Sequence, residues 1–121
     1  MAKIEQVRAA GLKSLEILKT AGVRMAFGTD LLGASHDLQS EEFLIRAQVQ
    51  SNLEVLQSAT LIGAELLNQV GVIGEIAAGA RADLLLVDGN PLADLACLTG
   101  QGERIPLVMQ GGKLRVNELR A

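Results

Sequence analysis

One cysteine and one histidine occur in 121 residues, and tryptophan and tyrosine are missing altogether. A lone Cys97 excludes an internal disulfide and a thiolate cluster for zinc. A reducing, cytoplasmic setting is the corresponding expectation. Its neighbours in Asp94-Leu95-Ala96-Cys97-Leu98 read as those of a small buried hydrophobe rather than of a nucleophile. A lone His36 cannot build the usual multi-histidine metal site. The two phenylalanines are the only aromatics, so base-stacking platforms are missing. Eleven Lys and Arg face fourteen Asp and Glu, for a net charge of −3. No basic cluster stands out, and no nucleic-acid partner is expected. No apolar run approaches the roughly 20 residues of a membrane helix. Met1-Ala2-Lys3-Ile4-Glu5-Gln6 lacks the apolar stretch of a signal peptide, so no membrane partner is expected. Phosphate-loop, dinucleotide-binding, His-Glu-x-x-His and Gly-x-Ser-x-Gly patterns are absent too.

What remains is an aliphatic, globular composition, 49% hydrophobic and 21% charged, enough for a core of Leu, Ile, Val and Ala. Ile4, Val7, Gly11, Leu15 and Leu18 recur at helical spacing, with Leu12 widening the stripe, and predict a helix over 3–20. Gly22 stands where a left-handed C-terminal residue belongs. Gly11, in mid-helix, suggests a close approach to another backbone. A short buried strand is expected over 23–28 and a loop over 29–39. Ser40 is a candidate cap for a helix over 41–50. Ser51-Asn52-Leu53-Glu54 is a capping-box pattern opening a third helix. Thr60 is a candidate cap for a fourth, over 61–68. Glycines at 71, 74 and 79 then interrupt all periodicity. Strands are expected at 83–88, 105–109 and 114–116. The last two are joined by a Gln110-Gly111-Gly112-Lys113 hairpin turn. The expected division is 1–70, helices around one strand, and 71–121, part of a small antiparallel sheet.

Ala26-Phe27-Gly28-Thr29-Asp30 carries the chemistry on offer. An acid at the C-terminal end of a strand faces the active site in parallel α/β folds. There it could ligate a metal or take a proton from water. A turn or helix cap is the commoner role of such a residue. His36, in the loop that follows, reads either as a substrate or metal contact or as an exposed loop histidine. Glu41 and Glu42 suit the first turn of a helix. Asp83 and Asp88 bracket a strand and read as structural.

Several segments, in order and spacing over 22–114, resemble the C-terminal third of the metal-dependent amidohydrolase superfamily. They are Ala21-Gly22-Val23 leading into Phe27-Gly28-Thr29-Asp30, Ser58-Ala59-Thr60 with Ala64-Glu65-Leu66-Leu67, and Gly74-Glu75-Ile76-Ala77-Ala78-Gly79-Ala80-Arg81-Ala82-Asp83-Leu84. Val87-Asp88-Gly89-Asn90-Pro91-Leu92 and Val108-Met109-Gln110-Gly111-Gly112-Lys113 complete the set. The likeness is greatest to the imidazolonepropionase-like and the Xaa-Pro or Xaa-Arg dipeptidase and carboxypeptidase branch. It implies an α/β fold: the last strand and flanking helices of a (β/α)8 barrel plus part of a β-sandwich, retained, rearranged or domain-swapped. It implies hydrolysis of an amide or dipeptide C–N bond with a divalent metal, zinc, in the full-length enzyme. Asp30 is then metal ligand and catalytic proton shuttle, positioned by Gly28 and Thr29, and His36 is a substrate contact. Some relatives have a histidine in this loop, usually followed by Gly, whereas Asp37 follows it here.

The resemblance also implies what this chain lacks. The family's His-x-His, its bridging lysine or glutamate and its later histidines would lie upstream. A whole barrel takes about 250 residues. The chain therefore reads as a slice whose Met1 falls just before the helix leading into strand eight, binding no metal alone and inactive alone. Its uncovered strand is expected to be hidden by homo-oligomerisation or by the rest of the barrel. The rival reading is a non-catalytic oligomerising or binding module.

Overall fold

The computed structural model describes residues 2–119, with side chains from Ala9 onward. Helix α1 spans Ala2–Thr20, as its apolar spacing predicts. The stripe residues Ile4 and Val7 lie outside the described side chains. Leu12 and Leu15 are half-buried, while Ile17 is exposed. Among the described residues, no atom outside the helix's own nearby backbone lies within 4 Å of where a Cβ at Gly11 would stand, so they show no close approach there. Gly22, at φ +69°, turns the chain out of α1, and Val23 N–H closes the turn on Leu18 O at 3.0 Å.

Residues 23–28 are not a hydrogen-bonded strand. The apolar run is there, but a strand requires a neighbouring strand to pair with, and none of the described strands pairs with it. Residues 29–39 are only partly a loop, because a 3-10 helix occupies Gly33–Glu41. It consumes the start of the helix expected over 41–50. Helix α2 is confined to Glu42–Arg46, and Ser40 does not cap it. Helix α3, Asn52–Ala59, opens on the capping box as expected: Ser51 Oγ accepts from Glu54 N–H, and Glu54 Oε2 accepts from Ser51 N–H. Helix α4 spans Leu61–Leu66 without a side-chain cap. The Thr60 hydroxyl instead donates back to Leu56 O at 2.7 Å, a bond that competes with capping.

Strands β1 (Leu84–Leu86), β2 (Leu107–Gln110) and β3 (Lys113–Asn117) form one antiparallel sheet in that order. Gly111 and Gly112, at φ +55° and +77°, make the hairpin turn, the sign a tight hairpin needs at both positions. Asp83 fastens this turn by accepting from Gly111 N–H at 2.6 Å. The core joins α3 to a 3-10 helix, Leu95–Leu98, in the connection between β1 and β2. Val55, Leu95, Cys97 and Leu98 are buried together, with Phe27, Phe43, Leu56 and Val87 packed on them. Cys97 is the buried small hydrophobe its neighbours suggest. Among the described residues, no helix is long and apolar enough to cross a membrane.

Candidate functional site

Phe27 is the fixed point of the segment that leads to Asp30. Its N–H donates to Ser58 O at 3.0 Å, and Ser58 is fully buried in α3. Its ring meets Phe43 of α2 at 4.6 Å between centroids, and the Arg46 guanidinium lies 5.1 Å from its centroid. Arg46 is buried and held in turn by Glu42, Nε to Oε1, at 2.8 Å. An aromatic face attracts a desolvated guanidinium, so α2 and α3 grip the chain three residues ahead of Asp30.

Beyond that grip the chain turns. Thr29 Oγ1 accepts from Leu31 N–H at 3.4 Å, and Asp30 takes a left-handed φ of +53°. Aspartate tolerates that conformation better than most residues. Asp30 is exposed, and it lies in the irregular segment between α1 and the 3-10 helix. His36 lies on the 3-10 helix and is exposed as well. Among the described residues, no three His, Cys, Asp or Glu side chains are placed to hold a metal ion. A metal therefore does not fit the residues present by themselves, since a lone carboxylate falls short of the three or four ligands a bound zinc needs.

A groove of about 580 Å³ runs elsewhere, beside residues 22–25 and between α1, α3 and α4. The ion pairs Lys19–Glu54 and Arg24–Glu65 flank it, and neither Asp30 nor His36 lines it. Glu54 ionises with a pKa lowered to about 2 by the Ser51 backbone N–H, the Lys19 ammonium and the Ser51 hydroxyl. Sequence reading missed Arg46 and Gln50, both buried. The four-residue spacing of Glu42 and Arg46 was the available signal for the first. Nothing local marks Gln50.

Helices followed by a small antiparallel sheet define a mixed α/β class. The amidohydrolase family model matches residues 1–114, and the chain belongs to that family. Among solved structures, it is 50% identical to a prolidase complexed with N-methylphosphonate-L-proline. That match has a TM-score of 0.90 and covers 96% of this chain and 28% of the other. A Xaa-Pro dipeptidase with methionine bound in its active site is 31% identical, at a TM-score of 0.79 over 88% of this chain and 25% of the other. The 5-methylthioadenosine/S-adenosylhomocysteine deaminase of Acetivibrio thermocellus is 30% identical over 65% of this chain and 21% of its own length. The ochratoxinase of Aspergillus niger is 26% identical over 93% of this chain and 24% of its own. The chain thus spans a fifth to a quarter of the curated relatives it matches. The family is generally metal-dependent.

Proposed function

We propose that this chain supplies the strand-end aspartate of a metal-dependent amidohydrolase that cleaves the C–N bond of a small amide or Xaa-Pro dipeptide. The reading is carried by the 50% identity to a prolidase across 96% of the chain. Residues 1–70 belong, on this reading, to a (β/α)8 barrel and residues 71–121 to its accompanying β-sandwich. Asp30 is metal ligand and catalytic carboxylate, and His36 is a substrate contact. A carboxylate so placed can take a proton from an attacking water and return it to the departing amine nitrogen. The remaining metal ligands come from outside these 121 residues, because the sequence holds one histidine. The chain by itself is therefore inactive.

A chimera tests this. The matched segment of the 50%-identical prolidase is replaced by residues 1–121, and proline release from Xaa-Pro dipeptides is measured. Hydrolysis is expected, with a loss of about 100-fold or more on Asp30→Asn. A folded chimera that releases no proline overturns the reading. So does one in which Asp30→Asn changes nothing. Proline release by the 121-residue chain alone with added zinc, abolished by Asp30→Asn, overturns the need for further ligands.

A further inference from the structure

We propose that Arg46 is a positioning residue for Asp30: its buried guanidinium holds the Phe27 ring, and Phe27 sets where the carboxylate three residues on can stand. The role of Asp30 rests on the reading above; the hold on Phe27 does not. Among the described residues, Phe27 is the last one before the carboxylate whose backbone is bonded to the body of the fold. No backbone–backbone hydrogen bond among them involves Gly28, Thr29, Asp30 or Leu31. Apart from its chain neighbours, no described atom lies within 4 Å of where a Cβ at Gly28 would stand. The Thr29 hydroxyl bonds only within the turn, to Leu31 N–H. Three residues reach at most about 11 Å. Rocking of Phe27 therefore passes to Asp30 through a short link with no described hydrogen bond to the rest of the fold.

Three groups hold Phe27 itself. Ser58 O accepts from its N–H at 3.0 Å, which places the backbone and not the ring. Phe43 meets the ring at 4.6 Å, tilted by 34°. The third is the Arg46 guanidinium, 5.1 Å from the centroid, and it is fixed at both ends. Arg46 O accepts from Val49 N–H at 3.0 Å and from Gln50 N–H at 2.8 Å, and Glu42 Oε1 holds Nε at 2.8 Å. The residue is 7% exposed. A planar guanidinium stacks on an aromatic face with little further loss of freedom, and the attraction grows as water is removed.

Stability alone does not account for this arrangement. Nη1 of Arg46 is buried and has no hydrogen-bond partner among the described residues, a costly state for a donor. A buried charged pair is often replaced by packed apolar side chains at no loss of stability. What the charge supplies, and an apolar side chain does not, is a directed attraction to the ring face. Direction matters here because Asp30 takes φ +53°, a conformation that persists where the surroundings hold it. A displacement of about 1 Å at a reacting group can lower a rate by about 100-fold.

The experiment reads the segment's order and the reaction separately. In the 121-residue protein, Arg46→Met is expected to lower the NMR amide order parameters of Thr29, Asp30 and Leu31 by about 0.2 or more and to leave that of Val55 unchanged. Phe27→Leu removes the aromatic face, keeps apolar volume and is expected to do the same; it decides if Arg46→Met does not fold. In the chimera, each variant is expected to lower kcat for proline release about tenfold with KM within about twofold. The double variant is expected to fall no further than either single one, and Arg46→Met is expected to add nothing to Asp30→Asn. Unchanged order parameters, an equal loss at Val55, an unchanged kcat or a multiplicative loss in the double variant overturns the inference. If the unsubstituted chimera releases no proline, the proposed activity fails, and the order parameters still decide whether Arg46 holds the segment.

Discussion

Glu54 does two things at once, and pH separates them. It closes the capping box of α3 and pairs with Lys19 at 2.9 Å. Its folded pKa of about 2 lies below the ordinary 4.5. The stability it contributes is therefore fully present above about pH 4.5 and is lost as pH falls towards 2. Solvent screens much of the effect, because the side chain is 41% exposed. Glu54→Gln keeps an acceptor for the Ser51 N–H but cannot ionise, so acid denaturation of this variant should start from a lower plateau and fall less between pH 4.5 and 2. Ser51→Ala removes the other half of the box and should cost about 1 kcal/mol at neutral pH, read by urea unfolding. In the chimera, His36→Ala should raise KM several-fold with kcat little changed if the imidazole only contacts substrate. The Ser51-x-x-Glu54 pattern was legible because both partners are four residues of one turn. The burial of Arg46 was not, since it depends on Phe27, nineteen residues away in the chain.

Elements repeat the contrast between local and borrowed order. Helix α1, the box at α3 and the Gly111-Gly112 hairpin were readable because their bonds close within a few residues. The strand at 23–28 was not realised, because its bonds must come from a neighbour. Thr60 failed as a cap because its hydroxyl found Leu56 O first. Two element-level predictions follow from the packing around these pieces. A Cβ at Gly74 would stand 2.6 Å from Thr60 O, and φ there is +80°. Gly74→Ala should therefore cost about 2 kcal/mol or more by urea unfolding, through clash and strain together. Between α2 and Phe27, Glu42→Ala leaves the Arg46 charge buried without its partner, at about 3 kcal/mol. Arg46→Met keeps much of the volume and removes the charge, and should cost clearly less by the same measurement. The reverse order would show that the guanidinium on Phe27, rather than its neutralisation by Glu42, is what stabilises the packing.

For the molecule as a whole, the amount of surface left uncovered decides how it should unfold. The family was legible from short segments in order, since spacing survives where single residues say little. On the proposed reading, the sequence offers only Asp30 and His36 for the candidate site, because it holds one histidine and a metal site needs three or four ligands. Among the described residues the buried apolar core is correspondingly small: Val55, Ala64, Leu95, Cys97 and Leu98. Leu66, Leu67, Val70 and Ile76 stay at least 64% exposed. The urea m-value scales with the surface newly exposed on unfolding. The native chain exposes 8548 Å², roughly 2300 Å² more than a compact monomer of its 12.7 kDa would, so its m-value should be about a fifth below that of a compact domain of equal mass. Urea titration followed by circular dichroism at low protein concentration measures this directly. An m-value at the compact-domain level would mean that these faces are covered in solution. If the midpoint then rose with protein concentration, copies of the chain would be the cover. If the low m-value holds, and both midpoint and m-value rise only when the unmatched prolidase segment is added, the surplus surface is the one that segment covers.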